Sequence, residues 1–332
     1  MFFGVGMNRR ETNRTEHGRP RVGISACLLG HPLRFNGGHC GDRLVSQTLS
    51  RFFTWIPVCP EVEVGMGVPR ETLRLVASEQ GPRLMGGDSG RDYTEAMLEY
   101  ARKRMAYLKD MNLNGFILKK RSPSCGMERV KLYNTKGFPE HKGQGLFARV
   151  LMEHFPLLPV EEEGRLNDKT LRENFAERVY GHLRLCRLSA ARTRPKDLIR
   201  FHTDHKYQLL AHCEKTYREL GRLVAKAGTR PMDAILPAYK ELFMDCLKHP
   251  GNLRGRSNVL YHFQGFLKDQ LNKEDKHELG QAIEAFRRGR VPLAVPVTLF
   301  RHHFRKNPNS WVSRQHFWEP CPQEIVQPLP LT

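Results

Sequence analysis

The chain has 332 residues, and its 54 Lys and Arg side chains against 35 Asp and Glu give a net charge of +19. Hydrophobic residues make up 39% of the sequence, which is enough for a buried core and too much for a disordered chain. No apolar run approaches the roughly 20 residues that a membrane-spanning helix needs, so no membrane segment is predicted.

The excess of basic charge is spread over the whole chain. Residues 1–160 carry 24 basic and 15 acidic side chains, and residues 161–332 carry 30 and 20. Because many weak Lys and Arg contacts to a polyanion release bound counterions, this charge favours a nucleic acid as partner. The alternative is a soluble protein that is basic without such a partner.

The first 20 residues have too short an apolar patch for a secretory signal, and they are predicted to form a mobile arm. Eight cysteines in a chain without such a signal indicate the reducing cytoplasm. In that compartment, grouped cysteines suggest metal binding before disulfides.

Short apolar runs alternate with amphipathic ones between residues 21 and 160. Three segments are each predicted to be a strand that runs into a turn: "RVGISACLLG" (21–30), "WIPVCPE" (55–61) and "NGFILKKRSPSCG" (114–126). Two others show helical spacing: "LVSQTLSRFF" (44–53) and "DYTEAMLEYARKRMAYLKDM" (92–111). This alternation predicts an α/β domain with an open, mainly parallel sheet and flanking helices.

The pattern becomes helical nearly throughout from residue 168 to residue 332, with glycines and prolines between most helices. The segment "FPLLPVEEEGRLND" (155–168) holds two prolines and an acidic run, and it marks the boundary. The sequence therefore predicts a second, all-α domain over 168–332, which ends in an extended, proline-rich stretch.

Cys27, Cys59 and Cys125 each follow a predicted strand and open a turn. Ligands of parallel sheets gather outside the carboxyl ends of the strands, so these three thiols are predicted to converge on one metal site. The alternative is three unrelated buried thiols. Cys40, in the glycine-rich "NGGHCGD", leaves the number of ligands at three or four. The other four cysteines are predicted to be structural: Cys186, Cys213, Cys246 and Cys321.

The number of thiolates decides what such a site can do. Four would close a zinc ion or a [4Fe–4S] cluster off from other ligands. Three would leave one iron of a [4Fe–4S] cluster without a protein ligand and free to bind substrate.

Four motifs, "SACLLG", "FNGG", "VCPEVEVGMGVPR" and "SPSCG", resemble those of the thiouracil desulfidase (TudS) family in this order over residues 21 to about 160. The helical half, with "FHTDHKYQLLAH" and "VPLAVPVTLFRHHFR", resembles the domain fused to such modules in RudS-type tRNA 4-thiouridine desulfidases.

The resemblance implies a [4Fe–4S] cluster held by three cysteines, here Cys27, Cys59 and Cys125. It also implies a catalytic glutamate and a catalytic serine. The glutamate of the "CPE" motif is Glu61. The "SPSC" motif offers Ser122, which we favour, and Ser124.

The predicted function is the hydrolytic removal of sulfur from 4-thiouridine in tRNA, which gives uridine and sulfide. A soft, open iron can bind the sulfur, and Glu61, two residues from a cluster ligand, can take a proton from the attacking water. A serine hydroxyl can position that water or protonate the ring nitrogen.

Two alternatives stay open. One is a desulfidase for free thiouracil or a small thioamide. The other is a non-catalytic, zinc-stapled nucleic-acid-binding protein, in which Cys27, Cys40, Cys59 and Cys125 form a closed site.

A nucleotide stacked inside folded RNA must be turned out to reach such a site, at a cost of a few kcal/mol that phosphate contacts can offset. The basic residues predicted to contact RNA are Arg34, Arg70, Arg74, Lys119, Lys120 and Arg121 near the motifs, with "AFRRGR" (285–290) and Arg301 and Arg305 of "RHHFRK" in the helical domain. The alternative for each is ordinary solvated charge. His202, His205 and His212 are predicted to pack between helices or contact phosphate.

Overall fold

The computed structural model describes residues 18–134, 136–190 and 192–326. Two predicted features lie outside these residues: the N-terminal arm as far as residue 17, and the last six residues of the extended end. The chain divides into two compact units, of which the first ends at Asn167 and the second begins at Asp168.

The first unit contains two four-stranded sheets. Its strands in the described residues are β1 (Arg21–Ser25), β2 (Thr54–Val58), β3 (Leu73–Val76), β4 (Arg83–Gly86), β5 (Gly115–Leu118), β6 (Val130–Tyr133), β7 (Pro139–Gly143) and β8 (Val160–Glu162). The main sheet has the order β2-β1-β5-β8, and all of its strands are parallel. Its central strands are buried, with Val22 and Ile24 fully covered. The predicted parallel α/β fold is therefore confirmed.

The second sheet was not predicted, and it has the order β4-β3-β6-β7. It consists of two antiparallel pairs, β3 with β4 and β6 with β7, which are joined by parallel pairing of β3 with β6. Leu75 aligns with Leu132 in this pairing. Because β3 follows the loop after β2, and β6 follows the loop after β5, this sheet ties those two loops to one another.

Two helices, α1 (Thr94–Asp110) and α2 (Leu146–His154), cover the sheets of the first unit. The buried face of α1 is made by Met97, Ala101, Met105 and Leu108, whose helical spacing is the pattern seen in the sequence. The segment predicted to be helical at 44–53 forms two short helical turns, Leu44–Thr48 and Leu49–Arg51.

The second unit is helical, as predicted. Its helices in the described residues are α3 (Lys169–Ala190), α4 (Pro195–His212), α5 (Glu214–Val224), α6 (Met232–Lys248), α7 (Leu253–Phe266), α8 (Lys273–Arg287), α9 (Ala294–Lys306) and the short α10 (Ser310–Ser313). Aromatic side chains fill much of its core, including Tyr207, Phe263 and Phe300. None of the helices in the described ranges is long and apolar enough to cross a membrane.

Candidate active site

The three predicted cysteines lie at the carboxyl ends of neighbouring strands. Cys27 lies in a single helical turn directly after β1, and Cys59 directly follows β2. Cys125 lies in the loop after β5 and is 6% exposed. Since β1 pairs with β2 on one side and with β5 on the other, the three loops are adjacent. The structure thus brings these cysteines to one edge of the sheet.

Burial and mutual repulsion disfavour the charged form of these thiols. Burial, followed by the neighbouring thiols of Cys40 and Cys59, raises the pKa of Cys27 from 9.0 to about 12, against the opposing charge of Lys119. Burial raises the pKa of Cys59 as well, and it raises the pKa of Cys125 well above its ordinary value, with Glu61 as the next cause. Positive charge placed among the three thiolates would compensate for both effects.

Glu61 lies two residues after Cys59, at the start of the helical turn Val62–Met66. Its Oε2 accepts hydrogen bonds from Nε of Arg70, at 3.0 Å, and from Nη2 of the same guanidinium. Arg70 also donates to the carbonyls of Gly67 and Leu33, both at 3.1 Å. Its side chain is only 6% exposed, so this arginine holds Glu61 in place and does not face solvent.

The two candidate serines differ in their surroundings. The Oγ of Ser122 accepts hydrogen bonds from the amides of Ser124, at 3.2 Å, and Cys125, at 3.0 Å. Its own proton is then free to point to Oε1 of Glu61, 3.5 Å away. Ser124 is fully buried, and its hydroxyl has no hydrogen-bond partner in the part of the chain that the structure describes. The geometry therefore brings Ser122, and not Ser124, to the carboxylate.

Two residues that the sequence analysis did not single out organise the loop after β5. The buried Ser25 accepts a hydrogen bond from the amide of Lys119 at 3.0 Å. Against the larger effect of burial, hydrogen bonding by its hydroxyl lowers the pKa of Cys125. The carboxylate of Glu163 pairs with Nζ of Lys119 and accepts the amide of Lys120 at 2.8 Å. The position of Ser25 next to the "AC" dipeptide at a strand end was the available sequence signal.

The loops that carry Cys59 and Cys125 have further support. Glu63 accepts the amide of Cys59 at 3.0 Å and the hydroxyl of Tyr100 at 2.7 Å. The backbone of Gly145 packs so closely on the Cys125 loop that a Cβ at this position would lie 2.5 Å from the carbonyl oxygen of Ser124. The site is thus held by helices α1 and α2 as well as by the strands.

The basic residues predicted to contact RNA fall into two groups. Arg70 and Lys119 are paired with carboxylates, as described above. Lys120 and Arg121 are exposed in the loop after β5, and Arg34 is partly exposed, with its guanidinium 5.4 Å from the centre of the Phe35 ring. These three are available to a ligand approaching this edge, and Arg74 of β3 is exposed as well.

Arg301 and Arg305, two of the basic residues predicted to contact RNA in the helical unit, both belong to α9. Arg301 donates to the carbonyl of Trp318 at 2.6 Å. Arg305 lines a cavity of about 590 Å³ together with Asp275, Glu278 and Lys306. Arg305 therefore has both acidic and basic side chains around it.

The three histidines of α4 pack inside the helical unit. The ring of His202 stacks on Tyr217, and burial lowers its pKa to about 4. His205 is 1% exposed, and burial lowers its pKa well below the ordinary value. His212 pairs with the buried Glu177 at 2.6 Å. Because neutral or carboxylate-paired imidazoles attract phosphate poorly, packing is the role these positions favour.

The donor set at the sheet edge suits a [4Fe–4S] cluster. Among the described residues, no three His, Cys, Asp or Glu side chains are grouped so that they could hold a metal ion. A four-iron cluster binds each thiolate through a different iron, so its ligands are spread more widely than those of one ion. Three thiols on adjacent loops at one edge of the sheet fit that demand, and Cys27, Cys59 and Cys125 are the residues that would hold it.

Comparison with known proteins divides the chain in the same way. Residues 22–163 match the family described as 2-thiouracil desulfurase. Residues 206–322 match the family described as "Protein of unknown function (DUF1722)".

Individual relatives are also similar to this chain. YbgA, an uncharacterized protein of Escherichia coli (strain K12), is 32% identical over 129 residues, which cover 39% of this chain and 76% of YbgA. YbbK, an uncharacterized protein of Bacillus subtilis (strain 168), is 32% identical over 152 residues, which cover 44% of this chain and 97% of YbbK. A solved structure described as the [4Fe-4S]-dependent thiouracil desulfidase TudS has 27% identity and a TM-score of 0.36, and the match covers 45% of this chain and 94% of that one.

The parallel sheet with its cysteine edge and the match over residues 22–163 define the class as that of desulfurases, enzymes that take sulfur from a thiolated nucleobase. The chain belongs to the 2-thiouracil desulfurase family.

Proposed function

We propose that this protein is a cytoplasmic tRNA desulfidase that converts 4-thiouridine into uridine and sulfide with a [4Fe–4S] cluster held by Cys27, Cys59 and Cys125. The observation that carries the proposal is that the three cysteines lie on adjacent loops at one edge of the parallel sheet, where Glu61 follows Cys59 by two residues and faces Ser122 of the Cys125 loop. Membership in the desulfurase family supports the reaction class.

The reaction exchanges a C=S bond for a C=O bond, consumes one water and involves no net oxidation or reduction. When bound, the cluster supplies a soft Lewis acid for the sulfur of the substrate. Glu61 has one oxygen committed to Arg70, while Oε1 faces Ser122. This Oε1 is the general base that takes a proton from the water attacking the ring carbon.

Ser122 orients the reacting groups around that base. Its oxygen is saturated with two backbone N–H donors, so its single proton is directed toward Oε1 of Glu61 or toward a water between them. Arg70 fixes the orientation of the carboxylate, because its guanidinium donates to Oε2 of Glu61 and to the backbone carbonyl of Gly67 at the same time. Holding base and water in one geometry removes part of the entropic barrier to the attack.

The charge of the protein supports RNA as the substrate. The net charge is +19, and residues 161–332 alone carry 30 basic against 20 acidic side chains. Lys120, Arg121 and Arg34 lie at the same sheet edge as the cysteines and are available to phosphates beside a turned-out nucleotide.

Free thiouracil is the second candidate substrate. The observation in its favour is that the desulfurase match ends at residue 163 and does not include the helical unit. A small base needs neither the basic helical unit nor an RNA-binding surface.

The test begins with protein purified and reconstituted without oxygen. We expect about four iron and four sulfide per chain, and Cys27→Ala, Cys59→Ala or Cys125→Ala should lose them. The loaded protein is then given thiolated tRNA, 4-thiouridine monophosphate or 2-thiouracil, and released sulfide is measured. Glu61→Gln should keep the cluster and lose activity by a factor of roughly 10²–10⁴.

Preference for thiolated tRNA supports the proposal, and equal or better use of free thiouracil favours the second candidate. Iron-free protein after reconstitution, or full activity in Glu61→Gln, would refute the mechanism.

A further inference from the structure

We infer that Cys40 is a displaceable fourth thiolate, which closes the open iron position of the cluster until the sulfur of the substrate replaces it. The inference rests on the proposed function, because it assumes a cluster held by Cys27, Cys59 and Cys125. It assigns a role to the one cysteine of the first unit that the proposed mechanism does not use.

Cys40 lies directly against the turn that carries Cys27. The amide of Cys40 donates to the carbonyl of Cys27 at 3.0 Å, and the amide of Asp42 donates to the carbonyl of Leu28, also at 3.0 Å. These two bonds align the end of the "NGGHCGD" loop with the Cys27 turn. After burial, the neighbouring Cys40 thiol is among the causes that raise the pKa of Cys27, in agreement with this backbone contact.

The backbone around Cys40 differs from that around the other three cysteines. Cys27 and Cys59 lie directly after paired strands, and the Cys125 loop is held by Ser122 and packed against Gly145, whereas Cys40 follows the turn at Gly37, which has a φ of +73°. Cys125 is buried, whereas Cys40, like Cys27 and Cys59, is partly exposed. A thiolate on such a loop can leave an iron without disturbing the sheet.

Arg70 connects this loop to the proposed base. Its amide donates to the carbonyl of Phe35 at 2.8 Å, and its guanidinium donates to the carbonyl of Leu33 while it holds Glu61. Departure of Cys40 therefore takes place in a loop that is tied to the side chain orienting Glu61. In the exchange, the iron–sulfur bond of Cys40 breaks as that of the substrate forms, the thiolate takes a proton from solvent, and no electron is transferred.

The test follows the loss of one iron from reconstituted, full-length protein in air, read by the paramagnetic signal of the three-iron form. Cys40→Ser is compared with the wild type and with Cys186→Ser, whose exposed thiol lies on α3 of the helical unit. We expect Cys40→Ser to keep its iron and sulfide content but to lose one iron roughly tenfold faster or more, since only water then covers that iron. Adding 4-thiouridine monophosphate should slow the loss in Cys40→Ser, and Cys186→Ser should behave as the wild type.

Equal rates of iron loss in Cys40→Ser and the wild type would overturn the inference. So would loss of the whole cluster in Cys40→Ser, because Cys40 would then be a permanent ligand of a closed site. A wild type that binds no iron at all is a different result: it refutes the proposed function itself, and the inference with it.

Discussion

Replacing Arg70 by glutamine tests whether one buried ion pair holds the proposed base in place. The Arg70 side chain is 6% exposed and that of Glu61 17%, so both are largely removed from water. Removing one partner of a buried pair costs about 3–5 kcal/mol, because the other charge is left uncompensated. Since Glu61 keeps some contact with water, we expect about 3 kcal/mol, which lowers the melting temperature of a unit of this size by roughly 10 °C.

The assay is thermal unfolding of the full chain by calorimetry, with Arg74→Gln as the matched control. Arg74 is exposed, and its guanidinium lies 5.9 Å from the centre of the Tyr133 ring, so its loss should change stability little. Arg70→Lys keeps the positive charge but loses the planar guanidinium with its several N–H donors. Its melting temperature should therefore lie between those of Arg70→Gln and the wild type. A melting temperature for Arg70→Gln no lower than that of Arg74→Gln would show that the pair does not hold Glu61.

Three further outcomes are expected. Ser122→Ala should lower sulfide release roughly a hundredfold with the iron content unchanged, whereas Ser124→Ala should stay near the wild type; similar losses in both would contradict the role given to Ser122. Glu71 has its pKa lowered from 4.5 to about 2, first by the hydroxyl and amide of Ser89. The stability it contributes is therefore complete above pH 4.5 and lost as the pH falls toward 2, and urea unfolding of Glu71→Gln should lack this part of the pH dependence. Gly145→Ala should cost about 1–3 kcal/mol and weaken iron retention, while Gly228→Ala, which meets no atom within 4 Å, should do neither; unchanged iron retention in Gly145→Ala would show that this contact is dispensable.

Much of the first unit could be predicted because its signals are local. A parallel strand buried on both faces is a short apolar run, and "VGIS" and "GFIL" are such runs. The cysteines follow those runs within a few residues, so placing the strands also placed Cys27 and Cys59 at the edge of the sheet. Helix α1 was predictable for the same reason, from apolar residues at helical spacing.

The second sheet had no comparable signal. Its strands are four or five residues long, and β7, "PEHKG", is exposed along most of its length. The pairing that holds the sheet together joins Leu75 to Leu132, far apart along the chain. Only the folded chain, in which the loops after β2 and β5 are already neighbours, makes that pairing available.

The candidate site shows the same difference between what local sequence signals and long-range contacts determine. By itself, the sequence determined which residues can supply the chemistry: three cysteines after strands, the glutamate of "CPE" and two serines of "SPSC". The tertiary structure decided how they combine, pairing Arg70 with Glu61, turning Ser122 to that carboxylate across 61 positions of sequence, and burying Ser124. Strand and helix patterns arise from neighbours along the chain, whereas the partner of a side chain depends on which distant segments pack against it, and no local pattern records that.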